Sequence, residues 1–384
     1  MKNRTVGMTA FFLSGICAIS SGVIVSLLQE QYHLTYGTTG TLLSVMSIGN
    51  ICAAFLSGFL PRKMGVRGTV LTLSSGYFLG YLLCAVSGWI GALIVSFLII
   101  GLAKGCALNR CTFLVGTNSQ NRTRGMQVMH ACYACGALLC PLVISLLAGV
   151  GPGMPMIGIS CCGLVMWTVF FLARYPKKAE GMRDAASTPP KTFLRSPLFW
   201  MLTAMVFCQN AAETSVTGWL VTYYRNQQIL TGSLSGYTMT VMWSATLIAR
   251  LLIAFAVPIR NHFKALFFMG VCCFVLYAIL VRMETTIPAL IALFAFSFAM
   301  AGVNPMSTAG LGEELSQESL AVLLPIGAIG GMVMPLLVGL IADQAGMQAG
   351  MMINLIPCAG IAVLGAVLWR RSRQANISQL TERN

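Results

Sequence analysis

Residues Phe199–Tyr224 read FWMLTAMVFCQNAAETSVTGWLVTYY. The stretch is long enough to cross a bilayer, which takes about 20 apolar residues in a helix. Glu213 lies in its middle and is the one carboxylate placed well inside an apolar span of this chain. A charge at that depth costs at least about 2.5–3.5 kcal/mol on insertion scales, so such residues pair, face a cavity and serve function. On a helix, Glu213 shares a face with Gln209, Asn210, Thr217 and Tyr224. The stretch therefore predicts a membrane helix with a polar stripe.

The rest of the chain fits that setting. It has 384 residues, 57% hydrophobic and 9% charged, with a mean hydropathy of +0.80. A soluble domain carries roughly 25% charged residues. The apolar runs reach the length of helices, not the ten-residue alternation of a barrel. The expected class is an all-α polytopic membrane protein, because helices satisfy their own backbone in lipid. The net charge of +14 belongs to basic cytoplasmic loops facing a lipid bilayer and points to no nucleic acid. The fourteen cysteines sit almost entirely inside apolar runs and read as small hydrophobes. Cys132-Tyr-Ala-Cys135 lacks the βαβ setting of a redox pair. The basic start, Met1-Lys-Asn-Arg4, leads into a retained first span with no clear cleavage site.

Twelve spans are predicted, at about 8–28, 39–60, 69–87, 90–114, 127–149, 154–173, 198–222, 234–256, 265–282, 287–308, 320–341 and 350–369. Lysine and arginine crowd alternate connections: Lys2, Arg4, Arg62, Lys63, Arg67, Arg122, Arg124, Arg260, Lys264 and the tail Arg370-Arg371-Ser-Arg373. Only Arg225 and Arg282 fall on the other side. Both termini are thus expected in the cytoplasm, with the chain multi-pass in the plasma membrane. The loop Gly312-Glu-Glu-Leu-Ser-Gln-Glu318 is acidic and breaks the basic pattern.

The longest hydrophilic stretch, RYPKKAEGMRDAASTPPKTFLRS at 174–196, falls at mid-chain and reads as a cytoplasmic linker. It divides the chain into an N-terminal six-helix half (1–173) and a C-terminal six-helix half with its tail (197–384). An internal repeat supports the division. Ser44-Val-Met46 matches Thr240-Val-Met242, and GALLCPLVISLLAG (136–149) matches GGMVMPLLVGLIAD (330–343). Two matches in nearly one register point to a duplicated six-helix unit, one of the plans used by transporters.

These features resemble the major facilitator superfamily over the whole chain. The family signature, roughly Gly-x-Leu-Ala-Asp-Arg-x-Gly-Arg-Arg, is similar to Gly58-Phe-Leu60-Pro61-Arg62-Lys63-Met-Gly65-Val66-Arg67. Arg62 stands where the family has Asp. His130-Ala-Cys-Tyr133 with Gly136 and Pro141, Glu213 followed by Gly218-Trp219 and Tyr223, Arg250, and Asn304-Pro305 resemble the fucose and glucose/galactose/mannose proton-symporter branch; permeases of other solutes share these features. The resemblance implies two pseudo-symmetric six-helix bundles and alternating access. It also implies a cavity lined by the first, fourth, seventh and tenth spans. The acids expected in the first and fourth spans of the fucose type are missing, and Lys104 lies in the fourth.

Glu213 and Lys104 fall near mid-depth in opposite halves and are the proton-coupling candidates, expected as a switchable pair; a fixed ion pair is the alternative. Asn109, Gln209, Asn210 and Asn304 can hydrogen-bond a hydroxylated solute or tie helices together. Trp219 and Trp243 can stack on a sugar face or simply pack. His130 suits a proton relay or a packed interface position. Arg110 and Arg250 sit toward the cytoplasmic ends of their spans, where snorkelling or bonding to carbonyls is expected. Arg62 and Lys63 at the second span, with Glu313, Glu314 and Glu318 before and at the eleventh, form the expected cytoplasmic gate. The alternatives there are a helix-dipole role for Glu318 and headgroup contacts for the bases.

The function expected is secondary active transport of a small polar solute, a monosaccharide with a proton, by a chain that works as a monomer. Proton-coupled efflux of drugs or metabolites is the rival. There is no GxxxxGK[ST], HExxH or GxSxG, and only three histidines occur. No enzyme, no metal and no cofactor are implied, and duplicated halves favour a carrier over a receptor or channel.

Overall fold

The computed structural model describes residues 3–34, 36–151, 153–175, 193–230, 237–257, 259 and 261–381. Of the expected linker, 176–192 lie outside them, as do Lys2 and Arg260. The described chain is helical throughout. It forms two compact units: Met1–Arg195 with Glu313–Pro325, and Ser196–Gly312 with Ile326–Asn384.

The first unit contains α1 (Asn3–Tyr32), α2 (Tyr36–Phe59), α3 (Pro61–Ser74), α4 (Gly76–Val86), α5 (Ile90–Thr117), α6 (Arg122–Ala148) and α7 (Met154–Phe171). α3 and α4 are one span, interrupted at Ser75, whose hydroxyl donates to the Thr72 carbonyl at 2.7 Å. Such back-bonding competes with the helix ladder. Pro61 opens α3, where its missing N–H has no cost. Gly65 breaks the first turn with φ +75°, a left-handed value that favours glycine. The turn between the second and third spans therefore pivots on a signature glycine. Arg67, the last signature residue, donates to the Phe171 carbonyl at 3.3 Å and lies over the Phe171 ring at 5.0 Å. It ties the third span to the end of the sixth.

The second unit contains α8 (Pro197–Asn226), α9 (Tyr237–Phe255), α10 (His262–Leu280), α11 (Thr286–Met300), α12 (Val303–Ala309), most of α13 (Gln317–Ala345), α14 (Met347–Met352) and α15 (Leu355–Thr381). Tyr223, Tyr224, Tyr277 and Phe296 fill its core. Each tyrosine hydroxyl reaches a main-chain carbonyl: Tyr223 to Val281 at 2.7 Å, Tyr224 to Ala289 at 3.2 Å and Tyr277 to Met351 at 2.9 Å. The rings are buried while their polar tips stay paired.

Ten of the described helical segments are long and apolar enough to cross a membrane. α6 and α8 complete the twelve spans. α8 carries the polar stripe around Glu213, which dilutes its hydropathy. The two units repeat one packing rule. Gly136 of α6 lies against the Phe12 carbonyl of α1, so closely that a Cβ would collide with it. Gly330 of α13 lies in the same way against the Phe207 carbonyl of α8. Gly136 and Gly330 are matched positions of the sequence repeat. Small residues let membrane helices approach backbone to backbone, and here they do so at the same place twice.

Candidate functional site

The polar stripe of α8 is built from side chains four residues apart. Gln209 Nε2 donates to Glu213 Oε2, and Thr217 Oγ1 donates to the Glu213 main-chain carbonyl. Gln209 is buried and spends its other amide atom across the bundle: Asn304 Nδ2 donates to Gln209 Oε1 at 3.0 Å. Three sequence candidates thus form one chain, Asn304 to Gln209 to Glu213, linking the tenth span to the seventh.

Asn304 reaches this position because the tenth span is broken. α11 ends at Met300 and α12 begins at Val303. Pro305 has no N–H, so the Ala301 carbonyl, four residues earlier, loses its helical donor. Arg250 Nε supplies a replacement at 3.2 Å. Arg250 is 3% exposed. Of the two roles expected from sequence, it bonds a carbonyl and does not snorkel. Glu213 and Arg250 line one pocket, too tight for a water-sized particle, together with Thr246, Ser297, Met242 and Met300. The Ser297 hydroxyl is buried with no hydrogen-bond partner. Thr246, Arg250 and Ser297 were not among the sequence candidates for this site. The available signal was a proline four residues after a carbonyl and an arginine in an apolar helix.

The remaining candidates of this unit lie elsewhere. Asn210 leaves the stripe and faces the eleventh span, where a Cβ on Gly327 would stand 3.0 Å from its Nδ2. Trp219 donates its indole N–H to the Pro335 carbonyl at 2.9 Å. Trp243 is buried on α9. Tyr224, expected on the stripe, is in the core at Ala289.

In the first unit, Lys104 is half-buried on α5. His130 is 6% exposed, with its ring edge-on to Phe11 at 5.3 Å. Asn109 is fully buried, and neither of its amide atoms has a hydrogen-bond partner. It faces a second pocket, with room for about one water-sized particle, which it shares with Ser57, Thr69, Cys106 and Arg110.

Among the five gate candidates, Arg62 and Glu318 approach each other, with Nη2 to Oε1 at 3.5 Å. Both belong to the first unit, since Glu313–Pro325 group with it. Ser316 and Ser319 exchange main-chain-to-hydroxyl bonds at 2.9 and 3.0 Å, a reciprocal cap that fixes the first turn of α13 and hence Glu318. Gly58 permits the approach, because a Cβ there would lie 2.7 Å from Ala321 Cβ. Lys63 and Glu313 are exposed, and neither has an ion pair among the described residues. Glu314 has a buried Oε2 with no hydrogen-bond partner.

Comparison with known proteins agrees with this architecture. An uncharacterized MFS-type transporter of Yersinia pestis is 22% identical over 347 residues, covering 88% of this chain and 88% of the relative. The class D tetracycline resistance protein of Salmonella ordonez is 22% identical over 342 residues, covering 86% of this chain and 85% of that one. The crystal structure of the fucose:proton symporter of E. coli superposes with a TM-score of 0.77 at 16% identity, over 96% of this chain and 99% of that chain. The family profile described as Major Facilitator Superfamily matches residues 7–324. A chain of twelve spans in two repeated bundles, matched over most of its length by that profile, belongs to the Major Facilitator Superfamily and is a secondary transporter.

Proposed function

We propose that this protein moves a small polar solute of the monosaccharide kind across the plasma membrane by alternating access, with a proton carried on Glu213. The observation that carries the reading is the hydrogen-bonded chain from Asn304 through Gln209 to Glu213, ending at a cavity that also holds Arg250. With Glu213 ionised, each amide donates toward the carboxylate. Protonation removes the charge and turns one carboxyl oxygen into a donor. The pull on the Gln209 amide falls, and Asn304 becomes available to a solute hydroxyl. Proton binding at one end of the chain thereby changes hydrogen bonding at the other. A solute that binds better to one protonation state shifts the conformational balance by that difference in affinity.

Lys104 is assigned as the second proton-coupling residue because counting along the fourth span puts it far from either end. The fold likeness to a fucose:proton symporter favours a sugar and a proton. The tetracycline resistance relative favours the rival reading, efflux by antiport. Both termini are assigned to the cytoplasm from the loop charges. Arg62 with Glu318 is assigned as the cytoplasmic gate, the polarity of the family's usual arrangement being partly swapped by Arg62 in place of Asp. The functional unit is one chain. Uptake of labelled monosaccharides into proteoliposomes under an imposed pH gradient tests the reading: symport accumulates sugar when the outside is acidic, and antiport expels its solute under the same gradient.

A further inference from the structure

The first unit buries a cation that none of the transport steps uses. Arg110 is 5% exposed. Its Nε has no hydrogen-bond partner, and the one ion pair among the described residues is Arg62–Glu318. Its guanidinium lies over the rings of Tyr175 at 5.2 Å and Phe113 at 5.7 Å. Tyr175, just beyond the sixth span, does not provide a negative charge. Burial pushes its hydroxyl up to about 12 even though the Arg110 charge pulls it down, so it stays neutral. A buried charge with no partner costs several kcal/mol, and proteins pair such charges or coordinate them.

The cavity beside Arg110 is lined by polar groups in the same condition. Asn109 is 0% exposed with both amide atoms unpartnered, and Ser57 is 6% exposed, its hydroxyl beside the Cys106 thiol and without a nitrogen or oxygen partner. Thr69 spends its hydroxyl on the Gly65 carbonyl at 2.9 Å. Three donors from the second and fourth spans therefore line one cavity under the signature turn: Ser57 Oγ, Asn109 Nδ2 and Arg110 Nε. The open space takes about one water-sized particle, too little for a sugar or a phosphate ester.

We infer that this pocket binds a monatomic anion of the chloride class, held by Arg110, Asn109 and Ser57. Water would satisfy the hydrogen bonds but leave the guanidinium charge uncompensated. A small anion accepts from all three donors and neutralises the charge. The site lies within the first unit, so it does not depend on what solute the second unit handles. Its occupant would brace the turn around Gly65 that joins the second and third spans.

The test uses purified full-length protein melted in sodium chloride and in sodium gluconate at equal ionic strength. Chloride should raise the melting temperature with a saturable midpoint that gluconate does not show, as for any ligand of the folded state. Ser57→Ala and Asn109→Leu should each raise the half-saturating chloride concentration about tenfold, the loss expected of one hydrogen bond to a charged partner. Arg110→Met should abolish the chloride effect; if it fails to fold, the other two variants carry the test. Crystals grown in bromide should show an anomalous peak among Ser57, Asn109 and Arg110. Equal melting in the two salts, a chloride effect unchanged in Ser57→Ala and Asn109→Leu, or a pocket holding only water in bromide would overturn the inference.

Discussion

Arg250 donates its Nε to the Ala301 carbonyl at 3.2 Å, filling the bond that Pro305 cannot make. One side chain thus stabilises the break in the tenth span and stands beside Glu213 in the same cavity. Arg250→Met should leave a buried carbonyl unpaired and cost about 1–3 kcal/mol of stability. Pro305→Ala restores an N–H at the right place, so the double variant should recover most of that loss. A thermal-melt double-mutant cycle reads the coupling. Simple addition of the two single effects would contradict this role for Arg250.

Asn304 reaches Gln209 from α12, and the pair holds the amide that Glu213 accepts. Asn304→Leu removes a donor and leaves Gln209 Oε1 without it. Solute KM should rise about tenfold, in line with one lost buried hydrogen bond, while expression stays close to wild type. Transport kinetics measured with intact fold would settle it, and an unchanged KM would remove Asn304 from the binding chain.

The Arg62–Glu318 pair is exposed, with side-chain accessibilities of 70% and 39%. Such pairs contribute about 0–1 kcal/mol, so Arg62→Glu should shift the inward/outward balance by no more than about fivefold. The exchange Arg62→Glu with Glu318→Arg should restore it. Cysteine accessibility on the cytoplasmic side follows the balance. Failure of the exchange to restore what the single change disturbs would leave the gate without its pair.

Gly136 and Gly330 occupy matched close contacts in the two units. Replacing either with Val drives a side chain into a backbone carbonyl, so both variants should melt several degrees lower and express poorly. Gly22 and Gly218, which have open space around the added Cβ, serve as controls. Equal tolerance at all four positions would argue against backbone-to-backbone packing.

Trp219 invites a stacking role by its residue type, yet its N–H is committed to Pro335. Trp219→Phe keeps a ring and loses that bond. The expected result is a loss of about 1 kcal/mol in stability with KM unchanged; a raised KM at unchanged stability would return Trp219 to the solute.

The twelve spans were legible because the bilayer imposes a length and a composition on each one. The match of Gly136 with Gly330 was legible as an offset in sequence, but the backbone-to-backbone contacts that both make were not, since the repeat does not say which helix each one meets. The chain from Asn304 to Glu213 was only partly visible. Periodicity on α8 gave Gln209 and Thr217 as neighbours of Glu213, but it also gave Asn210 and Tyr224, which turn to other helices. A stripe on one helix specifies a direction and leaves its partners undefined. Arg250 could not be placed by counting residues from the end of a span, because its position answers to a carbonyl on another helix. Asn109 was selected as a polar residue in the fourth span, but the second cavity that it shares with Ser57 and Arg110 needed the three-dimensional arrangement.

Glu213 is the acid on which proton coupling rests, so Glu213→Gln is the most direct test. The variant keeps the size of the side chain and removes the proton-dependent charge. Labelled-sugar uptake into proteoliposomes, with and without an acidic exterior, should show sugar exchange at equilibrium but no accumulation driven by the pH gradient. Accumulation equal to wild type in Glu213→Gln would contradict proton carriage by Glu213.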